Sequence, residues 1–281
     1  SGHFVLTIWL QYEIDHINRV AHGRLTMYTI SKNQKIQIVA DAEAMSKAAA
    51  ETLVQHIGKT LQTRDVYSIA LSGGSTPRRL YALLADDPDL RRQIPWQQIH
   101  FFWGDERHVP PEHPDSNYRM ADTALLSKVP IPATNIHRIR AEDPDAAKAA
   151  ADYEQEIRRF FKIDSGQVPR FNCVLLGMGS DGHTASLFPG TAALAETKRL
   201  GVSNWVKKFQ SYRMTLSLPV INNAAYILFL VAGREKAETL KAVLEGDSKT
   251  IQFPAHCIQP TQGKLTWLLD RPAASRLKSV I

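Results

Sequence analysis

At 281 residues, 44% of them hydrophobic and 22% charged, the chain is long enough for one large α/β domain or two small ones. No apolar run approaches the ~20 residues that a membrane-spanning helix requires, and the formal net charge of +6 is spread along the chain without a run of five or six basic residues. Membrane and nucleic-acid partners are therefore not expected, whereas an anionic small molecule suits the charge balance. Cys173 and Cys257 lie far apart and make neither a disulfide framework nor a metal-ligand spacing. Reduced thiols in a cytoplasmic protein are expected.

Residues 1–34 show neither the helical nor the strand period. They begin Ser1-Gly2-His3 without an initiator methionine and lack the basic region and cleavage site of a signal peptide. An appendage is expected there, with Met27 a candidate native start, and a single domain over 35–281. In that domain KIQIVA (35–40) reads as a strand, and Asp41 caps an alanine-rich helix reaching about Leu61. A buried strand VYSIAL (66–71) precedes a helix from Pro77 to about Ala85. QIHFFW (98–103) is a strand, followed by a loop and a helix through NYRMADTALLSK. IHRI reads as a short strand and DAAKAAADYEQEIRRFF as an amphipathic helix. FNCVLL (171–176), RMTLSL (213–218), AYILFLVA (225–232) and KLTWLLD (264–270) complete the strands, with a helix at REKAETLKAVLEG between the last two. Near-continuous apolar strands alternating with helices predict a mostly parallel sheet covered on both faces.

Ligands of open α/β sheets bind beyond the carboxyl ends of the strands, and three strand ends carry unusual residues. The first, Ser72-Gly73-Gly74-Ser75-Thr76 before Pro77, offers glycines for close approach, Thr76 as a cap and Pro77 at the first helical position. Free amides and the helix dipole make it an anion site, with the Ser75 and Thr76 hydroxyls as further donors; the same chemistry also serves a tight, well-capped turn. No Gly-Lys-Ser/Thr follows, so it is not a Walker A loop.

The second end, FFWGDERHVPPEHPDSNYR, sets Asp105, Glu106, Arg107 and His108 in succession after an aromatic strand, either as functional groups or as a solvated loop. In the third, NCVLLGMGSDGHTASLFPG, Gly177, Gly179 and Gly182 satisfy G-x-G-x-x-G. Pro189-Gly190 nevertheless cut short the helix that a dinucleotide site needs, and no strand-terminal acid follows ~20 residues on to hold a ribose. What remains is Asp181-Gly182-His183-Thr184 in a glycine-lined turn. Histidine is the side chain suited to taking a proton from water near neutral pH, and Asp181 is close enough in sequence to orient it.

Together, SGGSTP, WGDERHVP with the downstream DSNYRMA, and GMGSDGHTASLFPG resemble the three signature regions of the 6-phosphogluconolactonase family, in its order and spacing, from about Ile36 to Asp270. The wider superfamily includes glucosamine-6-phosphate deaminase and shares the glycine loop and the Asp-Gly-His turn. Deaminases carry Asp-Glu-Tyr where this chain has Asp105-Glu106-Arg107, and continue Asp-Gly-His into Asn-Glu-Pro where this chain has Ser186-Leu187-Phe188-Pro189. Ring opening and amine loss need several relayed proton transfers; lactone hydrolysis needs one activated water and one stabilised oxyanion.

The resemblance implies a Rossmann-like three-layer α/β/α fold with a mostly parallel central sheet, and hydrolysis of 6-phosphoglucono-1,5-lactone. It implies His183 as general base with Asp181 beside it, and Arg107 or backbone amides near Gly179–Gly182 at the oxyanion. The phosphate would lie on Gly73, Gly74, Ser75 and Thr76, with Arg213 and Lys236 neutralising it. Asp105, Glu106, Asn117, Gly179, Gly182 and Thr184 would support the site. No cofactor or metal is expected, because no compact His/Asp/Glu ligand set appears, and a monomer or weak homodimer is expected. The alternatives are a deaminase and a non-catalytic sugar-phosphate sensor; sensors of this fold usually carry a helix-turn-helix, for which residues 1–34 are too short and irregular.

Overall fold

A computed structural model describes residues 26–246 and 253–278. In chain order its main elements begin with β1 (Thr26–Ser31), β2 (Gln34–Val39), α1 (Ala42–Leu61), β3 (Tyr67–Leu71), α2 (Ser75–Asp86), α3 (Pro88–Gln93), β4 (Ile99–Trp103), β5 (Asp105–Arg107) and α4 (Asn117–Ala124). There follow α5 (Ala146–Phe161), β6 (Cys173–Gly177), β7 (Gly201–Val206), β8 (Ser211–Leu216), α6 (Leu218–Asn222), β9 (Tyr226–Val231), α7 (Ala237–Glu245), β10 (Lys264–Asp270) and α8 (Arg271–Ala274).

Seven strands form the main sheet in the order β1-β2-β10-β9-β6-β3-β4. All its neighbours pair in parallel except β1 and β2. β3 and β9 are buried at every position, as strands covered on both faces must be. The sheet is thus mostly parallel with flanking helices, as the alternating pattern predicts. Asp41 caps α1 as expected, its carboxylate accepting from the amides of Glu43 and Ala44.

Four details differ from the sequence expectation. β1 lies within the segment 1–34 and joins the sheet antiparallel to β2, so the sheet begins before the expected boundary at residue 35. As an edge strand it has a half-exposed, polar character, which hides the apolar signal of a strand; residues 1–25 lie outside the described residues. RMTLSL does not enter the main sheet: β8 forms a separate antiparallel sheet in the order β5-β8-β7. Apolar strands of similar length read alike in either setting, and the three-residue β5 is too short to carry a period. IHRI makes only an isolated bridge, Phe101 to Ile136. The helix after β3 starts at Ser75, with Gly74 in the cap position at φ 106° and no side-chain cap, so Thr76 is inside the helix rather than its cap.

The chain path explains where a ligand is received. From β3 it passes outward to β4, and the next strand of the sheet, β6, lies on the other side of β3. Connections leaving neighbouring strands in opposite directions open a crevice at their carboxyl ends. β3, β4 and β6 end there in Ser72–Thr76, Gly104–Arg107 and Met178–His183.

Candidate active site

A cavity of 260 Å³ occupies that crevice. Its walls include Gly73, Gly74, Ser75 and Thr76, together with Asp105, Arg107, Asn117, Gly179, His183, Arg213 and Lys236. The three loops singled out in the sequence therefore converge, joined by two basic residues from 30 to 60 positions further on. Asp181, Glu106, Gly182 and Thr184 do not line the cavity.

At one end, the amino-terminus of α2 presents the amides of its first turn, which have no partners inside the helix. Gly74 supplies the positive φ from which the helix starts, and a Cβ on Gly73 would lie 1.9 Å from the Asn117 side-chain oxygen. Arg107, Arg213 and Lys236 set three cations against this wall. Burial pulls the Arg213 guanidinium below its ordinary range, with nearby Arg107 adding to the effect. Burial likewise lowers the Lys236 ammonium, against the pull of Glu235 and Asp270. Like charges held together out of water are poised for an anion. Lys236 belongs to the short 3-10 turn before α7 rather than to an exposed helix face.

At the other end, His183 Nδ1 lies 2.5 Å from Asp181 Oδ1. A carboxylate there can only accept, so in the neutral imidazole Nδ1 carries the proton and Nε2 the lone pair. Burial opposes charge on Asp181, but the hydrogen bonds and charge of His183 and the hydrogen bond from Lys208 outweigh it and hold the carboxyl at about 2. The Phe188 ring stacks on the imidazole, centroids 4.3 Å apart. A Cβ on Gly179 would lie 2.1 Å from His183 Nδ1, and one on Gly182, at φ 75°, would meet Phe253. Only glycines allow this turn to close on the imidazole.

The Gly179 amide donates to the His183 carbonyl and the Gly182 amide to the Gly179 carbonyl. Both are committed to holding the turn, which removes these two amides from the expected oxyanion donors. Arg107 Nη1 donates to the Asp115 carbonyl, and the guanidinium, which lines the cavity, has further donors. Thr184 is buried, its hydroxyl donating to the Gly177 carbonyl. It anchors the loop to the end of β6.

The run Asp105-Glu106-Arg107 alternates sides because it is a strand. Asp105 and Arg107 line the cavity, while Glu106 turns away and is 2% exposed. Its carboxylate accepts from the amides of Arg107, Asn117 and Tyr118 and from the Ser116 hydroxyl. Burial raises its carboxyl even against those bonds. Asp105 Oδ2 accepts from Ser186 Oγ at 2.7 Å, and Asn117 Nδ2 donates to the Asp105 carbonyl at 2.9 Å. Ser186, Phe188 and Lys208 were not among the expected site residues. Ser186 and Phe188 follow the Asp-Gly-His turn closely, but Ser186 bonds Asp105 of β5, the stacking of Phe188 on His183 has no spacing signal, and nothing in the local sequence of Lys208 points to Asp181.

Fold and site together define an α/β protein with an anion-binding helix terminus and an Asp-His pair facing each other across one crevice. Residues 40–267 match the family model described as glucosamine-6-phosphate isomerases/6-phosphogluconolactonase, and the chain belongs to that family. It is 42% identical over 245 residues to a 6-phosphogluconolactonase of Synechocystis sp., covering 87% of this chain and 98% of the relative. It is 40% identical to the chloroplastic 6-phosphogluconolactonase 3 of Arabidopsis thaliana, covering 93% of this chain and 78% of that one. Among solved structures, the 6-phosphogluconolactonase from Trypanosoma cruzi superposes with a TM-score of 0.78 at 31% identity, covering 89% of this chain and 99% of that chain.

Proposed function

We propose that the chain hydrolyses 6-phosphoglucono-1,5-lactone to 6-phosphogluconate, with His183 as general base. The observation that carries this reading is the environment of His183. It has one carboxylate, Asp181, on Nδ1 and an aromatic ring, Phe188, on its face, within the stretch where a deaminase continues into Asn-Glu-Pro. One proton acceptor is what lactone hydrolysis requires. The names of the relatives support the same substrate.

In this reading the phosphate sits on Gly73–Thr76, neutralised by Arg213 and Lys236, and that anchoring brings the lactone carbonyl beside His183. Nε2 takes a proton from water as its oxygen bonds to C1, and the carbonyl electron pair moves onto oxygen. Arg107 stabilises that oxyanion. Collapse re-forms the carbonyl and breaks the bond from C1 to the ring oxygen, which receives the proton from Nε2. Asp181 keeps the imidazole in the required tautomer and balances its charge between the two transfers. No step calls for a cofactor. The two cysteines are free thiols, which suits a reducing cytoplasm.

The test is a lactone hydrolysis assay corrected for spontaneous opening. His183→Ala is expected to lose ~10²–10⁴-fold in kcat while still binding 6-phosphogluconate. Near-wild-type turnover by that variant would overturn the assignment. Ammonia release from glucosamine 6-phosphate by the intact chain would favour a deaminase instead.

A further inference from the structure

The turn between β7 and β8 reaches the Asp-His pair from outside the cavity. Its 3-10 segment Lys207–Phe209 is closed by Gln210 in the left-handed region at φ 47°. Lys208 Nζ donates to Asp181 Oδ2 at 3.1 Å, so Asp181 is held on both oxygens, by His183 on one and by Lys208 on the other. Phe209 meets Phe188 edge-on at 5.7 Å, and Phe188 is the ring stacked on His183. The Arg213 guanidinium lies 5.1 Å from the Phe209 ring centre. One turn thus touches the carboxylate, the stacked ring and a cavity cation, although Lys208 itself does not line the cavity.

We propose that Lys208 is a positioning residue for the reaction, pinning the outer oxygen of Asp181 so that the carboxylate orients His183 without over-stabilising its protonated form. The inference rests on His183 acting as base. A carboxylate bonded to an imidazole alone concentrates its charge on that ring and favours imidazolium, which cannot accept a proton. An ammonium on the second oxygen draws off part of that charge and fixes the carboxylate rotamer. Among the described residues, the other charged groups that line the cavity with His183 are Asp105 and Arg107 from β5, Arg213 from β8 and Lys236 from the turn before α7. Among the described residues, Lys208 is the cation that bonds Asp181.

The test compares wild type with Lys208→Met and Lys208→Arg. Exposed ion pairs act modestly, so the acid limb of the kcat/KM profile in Lys208→Met is expected to move up by about half a pH unit, which costs about threefold in activity below that limb. Lys208→Arg restores the wild-type profile. The same displacement is read by NMR from the His183 ring resonance of the free protein, assigned by its loss in His183→Ala. Superimposable profiles and NMR titrations in wild type and Lys208→Met would overturn the proposal, as would a uniform loss of activity at every pH. The NMR arm reads the Lys208 effect whether or not the lactone is the substrate. Failure of the lactone assay with the NMR shift intact therefore strikes the functional reading alone.

Discussion

At the scale of single residues, the site depends on side chains that are absent as much as on those present. Gly179 has no Cβ, and one placed there would fall 2.1 Å from His183 Nδ1 and 2.8 Å from Asp181 Oδ1. Gly179→Ala must therefore push the imidazole off its carboxylate or open the turn. A displacement of about 1 Å at a reacting group costs on the order of 10²-fold. Gly179→Ala is expected to lose about that much in kcat with thermal stability near that of the wild type, read by turnover and by calorimetry on the same sample. Wild-type kcat would mean that the turn yields without moving the ring. Sequence spacing alone shows three glycines in a dinucleotide-like pattern; the reason for Gly179 is visible only once the ring it accommodates is in place.

At the scale of elements, buried carboxylates tie the loops to the sheet. Glu106 joins β5 to the start of α4 by accepting from three amides and one hydroxyl. Glu154 on α5 does the same for the approach to β7, accepting from Arg158, Arg199 and the Leu200 amide. Removing such an acceptor leaves several buried donors unpaired, at a cost of about 3 kcal/mol. Glu106→Ala is expected to lower Tm by roughly 6–12 °C and to weaken substrate binding through Asn117, which sits against Gly73. Chemical denaturation and the KM of the variant check both outcomes; unchanged stability would place Glu106 outside the framework. The sequence shows Asp105, Glu106 and Arg107 as one cluster of charge. Strand alternation separates them, turning Glu106 inward and its two neighbours towards the cavity.

At the scale of the whole molecule, part-buried histidines make the fold sensitive to mild acid. Burial, aided by Lys264 and Lys59, lowers His56 from 6.5 to about 4. Burial, aided by His137, lowers His100 to about 4 as well. The unfolded chain takes up these protons as pH falls through 6.5, and the folded chain resists until about 4. Stability is therefore full above 6.5 and declines across that window. For His56 the loss by pH 5 is about 2 kcal/mol, and for the more exposed His100 it is smaller. Asp181, held at about 2, loses its contribution only in stronger acid, while Glu106, raised by burial, offsets part of the decline. Tm is expected to fall by roughly 5 °C between pH 7 and pH 5, and His56→Gln to flatten that slope in scanning calorimetry. A Tm that does not vary over this range would refute the assignment of part-buried neutral histidines.

The sequence by itself determined the alternation of apolar strands with helices, the glycine loop before α2 and the Asp-Gly-His turn after β6. Each is written within a dozen or so neighbouring residues, where periodicity, turn chemistry and backbone freedom act. The tertiary structure decided what depends on distant partners. It paired β1 with β2, separated β5, β7 and β8 into their own sheet, and turned Glu106 away from the cavity. It also committed the amides of Gly179 and Gly182 to the turn and brought Lys208 to Asp181 across 27 positions of chain. Local sequence states which groups are available, but a hydrogen bond between loops exists only when the sheet beneath them sets their separation.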